Sequence, residues 1–374
     1  MKVIISGYVG KKITGIGRNL ISLLDNSSTN NRYIVYTNYD MCENLKFTNP
    51  NVFVKTYSVS KNSSLKNLLW TTFIFPFIVL KEKGDIALIP NFTLLLVKFR
   101  PTFVIMHDLI EFNVPKKFSR LKMFYRIYLA DPITAKIANH IITVSKNSKK
   151  DIIRFLRIKE EKITVIYNGV DQMKFKKMPD DLAQAVLSKK KWPLDYILYA
   201  GTIDHPGKNV IAVIKAFEAL KKRRRYNGSL ILAGMPGSGY DYIEEYVSSS
   251  EYRNDIIFTG YVTDQELVAL YSVCKVFCFV SLYEGFGIPP LEALSCGAKV
   301  IVSNTSSLPE VVGDVGIVIE TTNDDNLPDK IDECIKNTYY IDIVKLHKHL
   351  KKYDWKNLSK RFEDTLCNYR AGKS

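Results

Sequence analysis

The chain has 374 residues, 46% of them hydrophobic and 24% charged, with a formal net charge of +15. That length is more than one ordinary core fills and suits two domains, and the composition excludes a disordered or low-complexity chain. Residues 1–150 hold 22 Lys/Arg against 8 Asp/Glu (+14), while residues 151–374 carry +1. The basic excess points to an anionic partner for the first part: a membrane surface, a lipid-linked phosphate or nucleic acid. A solvated basic face is the plainer reading.

In chain order, Lys2–Ser6 is apolar and β-branched and reads as a first strand, too short for a signal-peptide core. Gly15-Ile16-Gly17 follows as a loop before a helix-like stretch, Arg18–Asp25. Further strands are expected at Tyr33–Thr37, Val52–Tyr57, Ile86–Ile89, Phe103–His107 and His140–Ser145, with a helical pattern at Arg120–Ala130. The most apolar stretch, Leu68 to Leu80, is interrupted by Pro76. It falls well short of the roughly 20 residues that cross a bilayer.

The polar stretch from Gly169 to Asp195, with Pro179 and Pro193, reads as an inter-domain connection. The alternation then restarts: strands at Tyr196–Gly201, Ser229–Gly234, Ile256–Thr259, Val276–Val280, Val300–Ser303 and Ile317–Ile319. Helices are expected at Val210–Lys222, Asp264–Ser272 and Pro289–Ser295. Strand-helix alternation predicts parallel sheets with helices on both faces, hence two doubly wound α/β domains facing across a cleft. The last stretch, Trp355–Arg370, carries Leu358, Phe362, Leu366 and Tyr369 on one helical stripe. The six cysteines have neither disulfide-framework nor zinc spacing; Cys274 and Cys278 read as reduced core residues, which suits a cytoplasmic protein.

Four loops could carry chemistry. Ser281 to Ala293 leaves a buried-looking strand and enters a helix; Gly285 and Gly287 permit close approach of a ligand, and Pro289 and Pro290 fit a first helical turn. Such a helix start suits a phosphate, and Glu284 and Glu292 there could face one ligand or could be surface polar groups. Gly201 to Asn209 nearly matches a P-loop, but it has five residues between its glycines and Asn209 where Ser or Thr would hold Mg²⁺. An NTPase is therefore disfavoured, and Lys208 is a candidate diphosphate contact or an ordinary lysine. Gly15-Ile16-Gly17-Arg18 is half a dinucleotide fingerprint with Leu20 at the last glycine, weak support for an NAD enzyme. His107-Asp108 ends a strand; His107 could be a site residue or a satisfied strand-end histidine. No Asp-x-Asp triplet is present for a metal-diphosphate clamp.

Taken in order, these loops resemble the family 4 glycosyltransferases with the GT-B fold, most strongly from Thr259 to Glu320. The resemblance rests on Phe258 to Val262, Ser281 to Ala293, Ser303-Asn304, Ser307 to Val311 and Gly316. Gly15-x-Gly17-Arg18, His107-Asp108, Val144-Ser145, Asn168 to Asp171, Lys208-Asn209 and Tyr353-x-Trp355 are weaker matches that agree in order. The resemblance implies an acceptor domain over 1–174, a donor domain over 175–352 and a helix over 353–374 that returns to the first domain. It further implies that Glu284 contacts donor-sugar hydroxyls and Glu292 the nucleotide ribose. Gly15, Gly17, Arg18, Gly201, Lys208, Asn209, Gly285, Phe286, Gly287 and Ile288 would line the donor, with the amides of Phe286–Ile288 on the diphosphate. His107 would lie near the donor sugar and, with Glu284 and Lys208, at the reacting centre.

Sugar transfer with retention and no metal or other cofactor is what such a family implies, with GDP-mannose as the first guess for the donor. One departure stands out: many relatives carry an arginine beside the lysine, whereas Thr202 and Gly207 stand here, leaving Lys208 without that partner. The basic half would be the acceptor side. Lys116, Lys117, Arg120, Lys122 and Arg126 interleave with Phe118, Leu121, Phe124 and Tyr125, and Trp70, Phe73, Phe75 and Phe77 add aromatics. That mixture suits an anionic membrane surface. The expected enzyme is then a hexosyltransferase of lipopolysaccharide- or capsule-type synthesis. It would act on a saccharide acceptor, lipid-linked, at the inner face of the membrane. The alternatives are a transferase acting on nucleic acid and a non-catalytic nucleotide-sugar-binding protein.

Overall fold

The computed structural model describes residues 1–7, 15–28, 30–38, 45–57, 64–91, 93–114, 119–320, 326–336 and 338–372. Lys116, Lys117, Phe118 and Cys42 lie outside the described residues. The chain divides into two compact units, Met1–Gly169 with Tyr353–Ser374, and Val170–Lys352.

The first unit is built on β1 (Lys2–Ser6), β2 (Arg32–Asn38), β3 (Val52–Tyr57), β4 (Ile86–Ile89), β5 (Thr102–Met106), β6 (His140–Thr143) and β7 (Ile163–Val165). They pair in the order β3-β2-β1-β4-β5-β6-β7, every pair parallel. The central strands β1, β4, β5 and β6 are short, mostly apolar runs buried at nearly every position because both sheet faces are covered there, while the edge strands β3 and β7 are only partly buried. One face packs on Leu20, Leu23 and Leu24, the other on Val79, Ala135 and Ile152.

The helix Trp355–Arg370 completes the first face: Leu358, Phe362 and Leu366 join the cluster of Val3, Ile5 and Leu20. Its stripe follows the i, i+4 spacing read from the sequence. A buried carboxylate fastens it. Glu363 accepts from the Ser28 amide (3.0 Å), the Ser28 hydroxyl (2.9 Å), Asn31 Nδ2 (2.8 Å) and the Tyr33 hydroxyl (2.9 Å). At its start a Cβ on Gly169 would lie 2.6 Å from the Trp355 ring, so only glycine lets the chain pass.

The second unit holds β8 (Tyr196–Ala200), β9 (Ser229–Ala233), β10 (Ile256–Gly260), β11 (Val276–Phe279), β12 (Val300–Ser303) and β13 (Ile317–Ile319). Their order is β10-β9-β8-β11-β12-β13, again all parallel. The stretch expected to be a connection, 169–195, contains a helix, Asp180–Lys189, with Ala183 and Leu187 buried. Its i, i+4 apolar pair, with two aspartates in the first turn, outweighs its polar composition.

Two helices of the first unit each contain a π-helical turn; the first spans what read only as an apolar stretch, Leu68 to Leu80, and the second runs beyond the pattern Arg120–Ala130. One runs Ser64–Leu69, Trp70–Ile74 (π) and Phe75–Lys81; the other Arg120–Phe124, Tyr125–Ala130 (π) and Asp131–Ile137. The aromatics of the first divide: Trp70 and Phe75 are core, while Phe73 and Phe77 are exposed. Among the described residues no helix is long and apolar enough to cross a membrane.

Candidate functional site

In the second sheet the strand order reverses between β8 and β11, which are paired neighbours. Loops leaving the carboxyl ends of such strands form the ligand crevice of a doubly wound sheet. Gly201 to Asn209 leaves β8, and Val280 to Gly287 leaves β11. A backbone bond from Leu282 N to Gly207 O, 2.9 Å, ties the two loops together. The tie places Lys208 Nζ 2.6 Å from Glu284 Oε1, and the ammonium also lies 5.4 Å from the centre of the Phe279 ring. The absent arginine therefore leaves Lys208 a different partner, the glutamate assigned to the sugar. Lys208 is itself held by its amide, which donates to the buried Asp204 carboxylate at 2.9 Å. Asn209 takes a left-handed conformation (φ 51°), which asparagine tolerates, and turns the chain into the helix Val210–Lys222.

The Glu284 loop is braced from the next loop along the sheet. Ser303 and Thr305 hydroxyls both donate to the Ser281 carbonyl, at 2.6 and 2.7 Å. Ser306 accepts from the Glu284 amide at 2.8 Å, and Ser307 donates to the Glu284 and Phe286 carbonyls at 3.0 and 2.7 Å. Gly287 adopts φ 108°, and a Cβ there would stand 2.7 Å from Leu308 Cδ2, so the turn requires glycine. The helix Ile288–Ser295 then begins with Pro289 and Pro290 in its first turn, where the amides have no intrahelical partner. Glu292 lies one turn in and is only 7% exposed. Its charge helps hold the buried Tyr271 hydroxyl and Cys296 thiol protonated, after burial itself.

In the first unit the order reverses between β1 and β4. His107 follows β5, and its Nε2 lies 3.2 Å from the Pro90 carbonyl just after β4. Burial lowers its pKa to about 4, so the ring is neutral at pH 7 with Nε2–H donating. Gly15 and Gly17 do not form the expected loop. They lie in the first turn of the helix Gly15–Asp25, with Gly17 buried and Arg18 exposed. Asn19, buried beside them, donates to Asn168 Oδ1 at 2.5 Å, and that bond holds the helix start against the chain leaving the sheet.

Beyond Asp108 sits a buried acid cluster. Glu111 meets Arg126 at 3.1 Å, and Asp131 lies 3.8 Å from the same guanidinium. Burial, then the hydrogen bond and charge of Glu111, push the Asp131 carboxyl well above the carboxylate range.

Residues 183–356 match the family described as "Glycosyl transferases group 1", and residues 38–173 match "Glycosyltransferase Family 4". The chain belongs to the family 4 glycosyltransferases. With its two doubly wound domains, this glycosyltransferase has the GT-B fold. It is 32% identical to O-antigen chain mannosyltransferase B of Escherichia coli over 222 residues, 59% of this chain and 58% of that protein. The chain thus spans little more than half the length of that relative. It is 27% identical to O-antigen chain mannosyltransferase RfbU of Salmonella typhimurium over 324 residues, covering 86% of this chain and 84% of that protein. Among solved structures, Anabaena Alr3699/HepE in complex with UDP-glucose superposes with TM-score 0.75 at 18% identity, over 98% of this glycosyltransferase and all (100%) of that chain.

Sequence reasoning missed Asp204 and the hydroxyl brace. Ser303 and Ser307 carried only the family likeness; the cluster of four hydroxylated residues in 303–307, one strand beyond the glutamate loop, was the available signal.

Proposed function

We propose that this glycosyltransferase moves a hexose, mannose first, from a nucleoside-diphosphate sugar, GDP-mannose first, to a saccharide acceptor, and that it does so with retention and without a metal. The observation that carries this reading is the Lys208–Glu284 pair, 2.6 Å apart where the loops of β8 and β11 meet. A cation and a carboxylate held together can separate onto the two halves of such a donor. The ammonium suits the diphosphate, whose charge grows as the bond to the sugar breaks, and the carboxylate suits the hydroxyls of the sugar. The amides opening the helix Ile288–Ser295 add donors on the diphosphate side. Glu292, one turn in, takes the ribose.

Neutral His107 contributes hydrogen bonding near the sugar. Its low pKa removes it as a proton donor at neutral pH. The mannosyltransferase relatives support the choice of sugar and an O-antigen- or capsule-type product.

The acceptor is lipid-linked in this reading, and the enzyme works on the inner face of the cytoplasmic membrane. Support comes from the exposed apolar side of the two π-containing helices. Phe73, Phe77, Phe99, Leu121, Phe124 and Tyr128 are all more than 40% exposed. The segment between the helices is bound to both: Thr72 Oγ1 donates to the Leu94 carbonyl, and Thr134 Oγ1 accepts from the Leu95 amide. Lys81, Arg100, Arg120 and Lys122 are exposed on the same helices and the segment between them. Apolar and cationic side chains exposed on the same segments fit an anionic interface.

The experiment is thermal unfolding with GDP-mannose, UDP-glucose and dTDP-glucose, followed by transfer assays. A donor at about 100 times its dissociation constant adds roughly 2.7 kcal/mol. Glu292→Gln is expected to remove most of that gain. A chain stabilised by none of the three, or one whose product shows inverted anomeric configuration by NMR, would defeat the reading.

A further inference from the structure

Outside the donor loops, the first unit has an open trough of about 610 Å³ at the β7 edge of its sheet. Among the described residues strand β7 pairs only with β6, and its Ile163, Thr164 and Val165 line this space. The trough is lined by Lys146, Lys149 and Lys150 from the helix Lys146–Leu156, by Arg361 from the helix Trp355–Arg370, and by Thr164 and Tyr167 beside the strand. Four cations thus meet one carboxylate among the lining residues, Glu160, which pairs with Lys149 at 3.0 Å.

The placement of the lysines is unfavourable for the fold itself. Lys146, Lys149 and Lys150 occupy the start of a helix that has no acidic residue in its first turn. Cations in the first turn of a helix meet the positive end of its dipole, which is destabilising. Mutual repulsion adds to this, and the positive field extends inward: Lys162 and Lys149 help hold the buried His140 ring neutral, after burial. A bound anion would relieve all of these terms together. The volume exceeds what a lone phosphate fills and matches that of small-molecule sites. The trough also offers Tyr167, whose ring can cover a sugar face; the Thr164 hydroxyl beside it is engaged with His140 Nε2 at 2.8 Å.

We propose that this trough is a second ligand site of the chain, for a phosphate- or diphosphate-bearing saccharide, separate from the donor loops. Lys146, Lys150 and Arg361 hold the phosphate and Tyr167 packs on the sugar. The site stands whether or not the donor assignment holds, because none of its residues belongs to the second unit.

The test is isothermal titration of the full chain with pyrophosphate and with mannose 1-phosphate, counting sites. Wild type is expected to show two classes of site for pyrophosphate. One should be lost in Lys208→Ala, and the other weakened at least tenfold in Lys150→Glu/Arg361→Glu. Both residues of that pair are exposed, so folding should survive; Lys150→Gln/Arg361→Gln serves if it does not. Mannose 1-phosphate should bind the second class more tightly than inorganic phosphate does. A single class of site that Lys208→Ala removes and the Lys150/Arg361 pair leaves intact overturns the proposal while sparing the donor reading. Equal affinity for mannose 1-phosphate and inorganic phosphate overturns the sugar contact.

Discussion

At the scale of single residues, the ion pair between Lys208 and Glu284 sets the terms for ligand entry in the proposed function. Both side chains are mostly buried, at 24% and 13% exposure, so neither is easily left alone. In the proposed reading, Lys208→Ala removes the cation that meets the developing diphosphate charge and leaves Glu284 facing it. The expected loss in kcat/KM is roughly hundredfold, about 2.7 kcal/mol. Glu284→Gln should raise the donor KM while preserving diphosphate affinity, since it removes the proposed sugar contact and releases Lys208. Steady-state kinetics with GDP titration separate the two; equal loss of GDP binding in both variants would contradict the division of labour.

A second residue-scale prediction concerns pH. His107 and His140 are held near a pKa of about 4, against 6.5 in an unfolded chain. Unfolding therefore takes up protons there below pH 6.5, and stability falls as pH falls through that window. Asp131 has the opposite sign: its folded carboxyl keeps a proton that the unfolded chain has lost above pH 3.8. Its contribution falls as pH rises. Two protons outweigh one below pH 6.5 and only the Asp131 term remains above it, so these groups together place maximal stability near pH 6.5. Asp131→Asn mimics the protonated acid and should abolish the decline on the alkaline side, where the slope is at most about 1.4 kcal/mol per pH unit. Melting temperatures across this range check it; an unchanged alkaline limb would show that Asp131 is not the group responsible.

At the scale of elements, strands and the last helix were legible because their burial leaves a periodic trace. Val, Ile and Leu runs marked the strands, and Leu358, Phe362 and Leu366 marked the face of Trp355–Arg370 that reaches the first unit's core. Phe362 has no exposed surface. Phe362→Ala should cost about 3–5 kcal/mol in the first unit, measured by denaturant unfolding. A loss below about 1 kcal/mol would mean the helix is not integral to that core. Less legible were features set by neighbours distant in sequence. The Gly15-x-Gly17 pattern read as a loop, yet the helix begins at Gly15 because Gly17 and Asn19 pack inward and Asn19 finds Asn168. The Asp180–Lys189 helix hid in a polar stretch because only Ala183 and Leu187 are buried. The brace from Ser306 and Ser307 to the Glu284 loop spans 21 to 23 residues and has no local periodicity.

At the scale of the whole molecule, charge and exposed apolar surface fall in the same unit. The basic excess of residues 1–150 and the exposed face formed by Ser64–Lys81 and Arg120–Ile137 belong to the first unit, whereas residues 151–374 are nearly neutral. Cations near an anionic bilayer gain about 1 kcal/mol each, and this gain fades over a Debye length of about 8 Å at physiological salt. Buried apolar area adds a part that salt does not screen. Binding to vesicles of phosphatidylcholine with phosphatidylglycerol should therefore weaken with salt without vanishing, and binding to phosphatidylcholine alone should be much weaker. Phe77→Glu/Leu121→Glu changes two exposed side chains, at 59% and 80% exposure, so folding should be retained. That variant should lose the salt-resistant part of vesicle binding, while its turnover of a water-soluble acceptor stays intact. Co-sedimentation across a salt series distinguishes the outcomes. If the variant binds as wild type does, the apolar face is not the docking surface; if wild type ignores anionic vesicles at low salt, attachment to the bilayer is ruled out as the reason for the basic half.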